Sequence, residues 1–321
     1  MRYACVLVLA ASMTSLIACR DADAPASASG GGSVSAGPTP AAVAFAREQR
    51  RWRAARLADV TRPDGWTSLV GLHWVGRGPH YVGSAPDNGI RIAKGPPQLG
   101  MLELRKDGAL RLVPASGAGL TLDGAPLTAA AELRSDADEH GPSAIGFDQG
   151  KGIAMVIKRG DRYALRVKHA DAEARTGFVG LDYWPASPQW RIAARFLPHP
   201  PGRTIPIANI TGGIDDTPNP GVVEFAHGGR SWRLEALDEG DGELFLVFAD
   251  RTNGRGSYSA GRFLDAGKPD AQGRVMLDFN RSYNPPCAFT AFATCPLPPP
   301  ENRLNLAIPA GEKAYAKPSH P

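Results

Sequence analysis

The sequence predicts an all-β protein in which an N-terminal amphipathic helix is followed by two β-rich bodies, and three observations carry that reading. Glycine, at 37, and proline, at 29, are abundant in 321 residues, and short runs of β-branched and aromatic residues alternate with them. Asp107-Gly108, Asp123-Gly124 and Gly228-Gly229 supply hairpin turn chemistry. A single stretch, 41–60, lacks both Gly and Pro and spaces its apolar residues as a helix does.

In chain order, Arg2 and the short apolar run 3–18 read as a signal peptide, too brief to span a bilayer. It ends Leu16, Ile17, Ala18, Cys19, the leucine-x-small-cysteine pattern of lipoprotein signal peptidase, so Cys19 is expected to carry the lipid. Several acyl chains hold a protein to a membrane because each buried methylene contributes about 0.8 kcal/mol. The membrane is therefore an expected partner through the anchor, and Arg20 after the cysteine points to the periplasm-facing side of the outer membrane. Residues 19–40, mostly Ala, Ser, Gly, Pro and Thr, bury too little apolar surface to order and read as a flexible tether.

The helix at 41–60, within an N-terminal segment taken to 64, places Ala42, Phe45, Trp52 and Ala55 on one side and leaves an arginine-dense face expected to be solvated. The segment 65–74 follows as a buried strand with Trp66 and Trp74 for the core. Strands are predicted at 89–93, 100–104, 109–113, 120–122, 130–133, 153–158 and 163–168, enough to close a sandwich by residue 176. The second body, 177–321, has predicted strands at 191–196, 205–210, 221–226, 230–235, 243–248 and 275–279.

Composition excludes several classes. The formal charge of +4, from 36 Lys and Arg against 32 Asp and Glu, is small and dispersed, so no nucleic-acid partner is expected. There is no Gly-x-Ser-x-Gly elbow, no His-Glu-x-x-His, no Walker loop and no dinucleotide fingerprint. The seven histidines are scattered, Asp215-Asp216 follows Gly212-Gly213 as a polar turn, and no cofactor or metal is expected. Of four cysteines, Cys5 leaves with the signal and Cys19 is lipidated, which leaves Cys287 and Cys295. In an oxidising compartment that pair is expected to form a disulfide; a zinc site is the alternative, but two thiolates alone do not complete its shell.

The segments FADRTNGRGSYSAGRFL at 248–264 and LDFNRSYNPPCAFTAFATCPLPPPENRLNLAIPAGEKAY at 277–315, with GWTSLVGLHWVG at 65–76, resemble the bacterial DUF1684 family, a domain of unknown function. The resemblance extends over nearly all of the chain after residue 41 and implies an architecture without an activity. Residues 81–166 are similar in layout to forkhead-associated domains, which implies an FHA-like β-sandwich. Those domains hold phosphothreonine with Arg, Ser and His; here Ser84 follows Gly83, and residues 97–100 stand where the Ser and His fall. Phosphothreonine binding is therefore not expected.

The signature 248–315 is dense in polar residues: Asp250, Tyr258, Arg262, Asp278, Asn280, Arg281, Tyr283, Asn284, Glu301, Asn302, Arg303, Glu312 and Lys313. One reading makes them a cleft, with Asp278 and Glu301 as general acid or base and Arg262 and Arg303 clamping an anion. Tyr258, Asn280, Asn284 and Asn302 then supply neutral contacts. The rival reading makes them salt bridges and turn caps that hold a proline-rich segment across the sheets. The expectation is a cell-envelope lipoprotein binding a small polar or anionic ligand at that cleft. A hydrolase using Asp278 and Glu301, or a structural or protein-interaction module, are the alternatives.

Overall fold

The computed structural model describes residues 39–238, 240 and 242–316; the signal peptide, nearly all of the tether and Cys19 lie outside the described residues. Helix α1 spans Pro40–Val60, opening on a proline whose missing N–H costs nothing at that position. A 3-10 turn at Trp66–Ser68 then leads into β1 (Leu69–Val75).

The first body continues through β2 (Gly78–Gly83), β3 (Ile90–Arg91), β4 (Gly100–Leu104), β5 (Leu110–Pro114), β6 (Thr121–Leu122) and β7 (Ala125–Pro126). It ends with β8 (Ala131–Leu133), β9 (Ile145–Phe147), β10 (Gly152–Arg159) and β11 (Arg162–His169). These strands form a six-stranded sheet, β1-β11-β10-β9-β6-β7, and a five-stranded sheet, β3-β2-β4-β5-β8. Alternation builds the core: Val82, Leu102, Leu112, Ile145, Val156 and Leu165 are buried between the sheets. The β6–β7 turn uses Asp123 and Gly124, both at positive φ, as a tight hairpin requires.

After the single-turn helix α2 (Glu173–Thr176), the second body contains β12 (Arg191–Pro198), β13 (Thr204–Ala208), β14 (Ile214–Pro218), β15 (Gly221–His227) and β16 (Arg230–Ala236). It closes with β17 (Phe245–Phe248), β18 (Arg262–Asp265) and β19 (Arg274–Asp278). A four-stranded sheet, β16-β15-β12-β19, lies with the hairpins β13-β14 and β17-β18. The described residues from 40 onward form one compact unit. An apolar cluster that includes Leu69 and Trp66 together with Ile205, Val247 and Phe263 spans the two bodies. Arg159 and Arg166 of the sandwich also donate to Thr294 Oγ1, at 3.2 and 3.0 Å.

The all-β class with its N-terminal helix is therefore the observed one, while several local expectations change. Strands β2, β7, β9, β14 and β18 were not anticipated. Asp215 and Asp216 lie in β14, paired with Ile207 and Pro206, rather than in a turn. Trp74 is half-buried beneath the Arg162 guanidinium, 3.8 Å from its ring, rather than inside the core.

The largest correction concerns α1. Ala42 and Ala55 are exposed, Phe45 and Trp52 only half-buried, and its most enclosed residues are Gln49 and Val60. The face turned inward runs through Phe45, Gln49, Trp52, Arg53, Arg56 and Val60, so two of the arginines expected in solvent are dock points. The surface beneath offers buried acceptors, and these require donors rather than hydrocarbon.

Candidate functional site

The signature segment hangs from the β17–β18 hairpin, whose register pairs Phe248 with Arg262 and Phe245 with Asp265. Its polar side chains resolve into separate clusters held by their own partners, although Arg262 Nε and Asn284 Oδ1 are enclosed without a hydrogen bond.

Arg262, on β18, is fully enclosed. Its guanidinium donates to Asp250 Oδ2 at 2.5 Å, to the Ile308 carbonyl at 2.9 Å and to the Ala310 carbonyl. Asp250 Oδ1 meanwhile accepts the amide of Thr252 at 2.7 Å. Burial pushes the Arg262 pKa down and the facing Asp250 carboxylate pushes it back up, an ion pair sustained in a water-free setting. It is closed to any anion from outside.

Asp278, at the end of β19, receives Gln49 Nε2 at 2.8 Å and Arg191 Nε at 3.0 Å on Oδ2, with Arg281 within ion-pair distance at 3.4 Å. Its Oδ1 accepts the Asn280 amide at 3.2 Å and Asn280 Nδ2 at 2.9 Å. The carboxylate is thus saturated, with no lone pair free for a substrate proton. Glu48 of α1 completes the cluster by pairing with Arg191 at 2.7 Å and with Arg281. Those cations hold Glu48 below the usual glutamate range, the Arg191 hydrogen bond contributing most. Asn280 itself clasps Ser187, its Oδ1 taking the Ser187 amide at 2.8 Å and its Nδ2 donating to the Ser187 carbonyl at 2.9 Å.

Glu312 forms the third cluster. Gly311, at φ +79, lets the chain pass so close to Ser282 that an added Cβ would meet its carbonyl at 2.4 Å. Only glycine allows that approach. The enclosed Glu312 carboxylate then accepts Arg56 Nε at 2.9 Å and the Asn284 amide at 2.8 Å. Burial raises its pKa, and Arg56 and the Asn284 N–H oppose that rise. Asn284 Nδ2 donates to the Lys313 carbonyl at 2.7 Å, and Arg56 reaches the Asn284 carbonyl at 3.0 Å. Nearby, Arg53 donates to the Trp184 carbonyl at 3.1 Å and lies 4.3 Å from the Tyr183 ring.

Asn302 is a backbone clamp. Its amide accepts from Glu235 N at 2.7 Å and donates to the carbonyls of Glu235 and Val247, both at 2.9 Å. Tyr258 donates its hydroxyl to the Cys287 carbonyl at 3.2 Å. Cys287 and Cys295 stand side by side as free thiols, with the Cys287 amide 3.1 Å from Cys295 Sγ. A hydrogen bond from the Cys295 thiol brings Cys287 down to about 7, while the same contact and burial push Cys295 up.

Glu301 and Arg303 are exposed, and no contact joins Glu301 to Asp278. Of the sequence-selected residues, the structure unites Asp278 with Asn280, and Asn284 with Glu312; it leaves Arg262, Asn302, Tyr258 and the Glu301–Arg303 turn elsewhere. Sequence reasoning missed Glu48, Gln49, Arg53 and Arg56, although their 3.6-residue spacing on one helix face was a readable signal. It also passed over His199, whose Nε2 meets Glu235 Oε2 at 2.9 Å beside a cavity of about 320 Å³ that Arg203 and Asp238 also line. His73 is half-buried, and that burial holds its pKa down.

Open space lies on the sandwich. A cavity of about 540 Å³ is lined by Tyr81, Asp87, Asn88, Gln98, Met101 and Val113 among others. Among the described residues, no three His, Cys, Asp or Glu side chains converge as metal ligands, and no helix is long and apolar enough to cross a membrane.

Comparison with known proteins gives one family match: residues 176–313 fit the family described as protein of unknown function, DUF1684. The matched range contains most of the signature and excludes the 65–76 segment that also resembled this family. Among solved structures, an uncharacterized protein of Haloarcula marismortui, determined in solution by NMR, is 30% identical. The alignment covers 46% of this chain and 81% of that one, with a TM-score of 0.37. No curated protein matches the chain.

Proposed function

We propose, taking the DUF1684 domain at residues 176–313 as the premise, that this chain is a lipid-anchored binding protein of the cell envelope. The domain and α1 serve as its rigid base, and the sandwich presents the ligand site. The observation that carries this reading is the contrast in occupancy: the signature's buried carboxylates are consumed by Arg262, Arg191, Gln49 and Arg56, whereas a sizeable mixed-polarity cavity stands open on the sandwich. A small polar ligand fits such a site, which falls within the roughly 300–1,000 Å³ typical of small-molecule pockets. The anchor is Cys19, facing the periplasm from the outer membrane, and Cys287 and Cys295 close into a disulfide in that oxidising space.

The layout of six and five strands supports the FHA-like resemblance of the sandwich. No Lys, Arg or His lines the cavity, which speaks against phosphothreonine. A hydrolase built on Asp278 and Glu301 draws no support, because the first carboxylate is saturated and the second is exposed away from it. A catalytic reading would rest instead on the His199–Glu235 pair beside its cavity, where a carboxylate orients an imidazole.

The test is a thermal-shift screen of the mature protein against soluble cell-envelope fragments, with reaction products followed in parallel. A ligand at 100 times its Kd should stabilise the fold by about 2.7 kcal/mol without being consumed. Turnover abolished by His199→Gln would replace binding with catalysis. In cells, Cys19→Ser should release the protein from membranes, and retention of that variant would overturn the anchor.

A further inference from the structure

We propose that the sandwich cavity is a binding site for a neutral glycan, with the Tyr81 ring as the stacking platform for a sugar face. This rests on the binding-protein reading above and names its ligand class.

The register places Tyr81 opposite Met101, and Met101 opposite Val113, so the three stand in a row across β2, β4 and β5. Their neighbours Val82, Leu102 and Leu112 point into the core, which leaves the row on the outer face. Tyr81 is 63% exposed, an unusual cost for an aromatic ring unless something covers it. Beside the row stand acceptors in excess of donors. Asn88 is enclosed, and its Nδ2 is committed to the carbonyls of Ala85 and Pro97, at 3.0 and 2.9 Å. That commitment fixes Oδ1 as the acceptor, and Oδ1 has no partner. Asp87 adds a carboxylate, engaged only by Gln98 at 3.4 Å.

An apolar, aromatic floor flanked by acceptors and lacking any cation selects a ligand that is rich in hydroxyl donors, uncharged and able to present a flat C–H face. A sugar ring meets all three conditions. A peptide is the competing class: β4 is paired along both sides, but β3 covers β2 only at Val82 and Gly83 and β8 covers β5 only from Leu110 to Leu112, so the titration carries peptides as comparators. An anionic ligand would meet Asp87 with no compensating guanidinium or ammonium.

The experiment is isothermal titration calorimetry of the mature chain with a panel of neutral oligosaccharides, triacetylchitotriose and maltotriose among them, and with neutral and basic peptides as comparators. At least one oligosaccharide should bind. Tyr81→Ala should weaken it about tenfold or more through loss of the stacked area, whereas Tyr81→Phe keeps the affinity. Asp87→Asn should weaken it less. Tyr81 is exposed, so Tyr81→Ala should unfold at the wild-type temperature, which separates lost binding from lost fold. If no oligosaccharide binds, or if Tyr81→Ala binds as well as wild type, the glycan assignment is overturned. Tyr81-dependent binding of a peptide alone would overturn the glycan class and leave the receptor reading standing. Failure of every ligand would remove both.

Discussion

The side chains that β4 and β5 of the sandwich bury are Leu102, Leu104, Leu110 and Leu112, whereas the fully enclosed set of the DUF1684 body includes Arg262, Asn280, Asn284, Asn302 and Glu312. The two bodies sit in one compact unit and each has an apolar core, the second through Val223, Phe225, Leu234, Phe248 and Phe279, but the second adds to it a set of fully enclosed, paired polar groups. Each buried leucine contributes on the order of 1.5–3 kcal/mol whatever its exact neighbour. A paired buried polar group contributes only about 0.5–1.5 kcal/mol, but leaving its partner stranded costs more than that. The first body is therefore tolerant and the second exacting. Unpaired buried atoms occur in both bodies, Asn88 Oδ1 in the first and Asn284 Oδ1 and Arg262 Nε in the second. What sets Asn88 apart is the open cavity it lines, whereas the Asp278 carboxylate is fully engaged.

The comparison can be broken most forcefully at Arg262. Arg262→Met strands the Asp250 carboxylate in a dry interior and should cost about 3–5 kcal/mol, read from urea unfolding, with Asp250→Leu added to it restoring part of the loss. A cost under about 1 kcal/mol would mean the pair is not what closes this body. Asn302→Ala removes three hydrogen bonds to enclosed backbone groups and should cost about 2–3 kcal/mol in the same measurement.

Arg56→Ala sharpens the picture through pH. Glu312 has its folded pKa raised by burial, so it favours folding at pH below the ordinary glutamate value and opposes it as pH climbs through the folded value. Arg56 counters that penalty. Its removal should therefore cost more stability at pH 8 than at pH 5, with α1 amides exchanging faster; an equal loss at both pH values would contradict the assigned pairing. The smallest effect belongs to Glu301→Gln, expected within about 0.5 kcal/mol because the side chain is exposed. A larger loss would reveal a role for that turn which its exposure does not suggest.

How far the fold was legible depended on range. The strand predicted at 100–104 is β4 residue for residue, and the turns at Asp107-Gly108 and Gly228-Gly229 join the strand pairs expected, whereas Asp123-Gly124 turns into the unanticipated β7 and the strand expected next pairs with β5 instead. β14, with the sequence IDDTP, escaped because Asp and Pro disfavour strands until a partner such as β13 imposes one. The same limit applied at the candidate site, where residue types were readable and their partners were not.

The sequence by itself determined the β class, the helix at the start of the folded part and the hairpin turns, because side-chain alternation and turn chemistry act over a few residues. Only the tertiary structure decided that Gln49 meets Asp278 across 229 positions and Arg56 meets Glu312 across 256. Such pairings depend on where whole sheets come to rest, and the need to satisfy every buried charge then selects the partner.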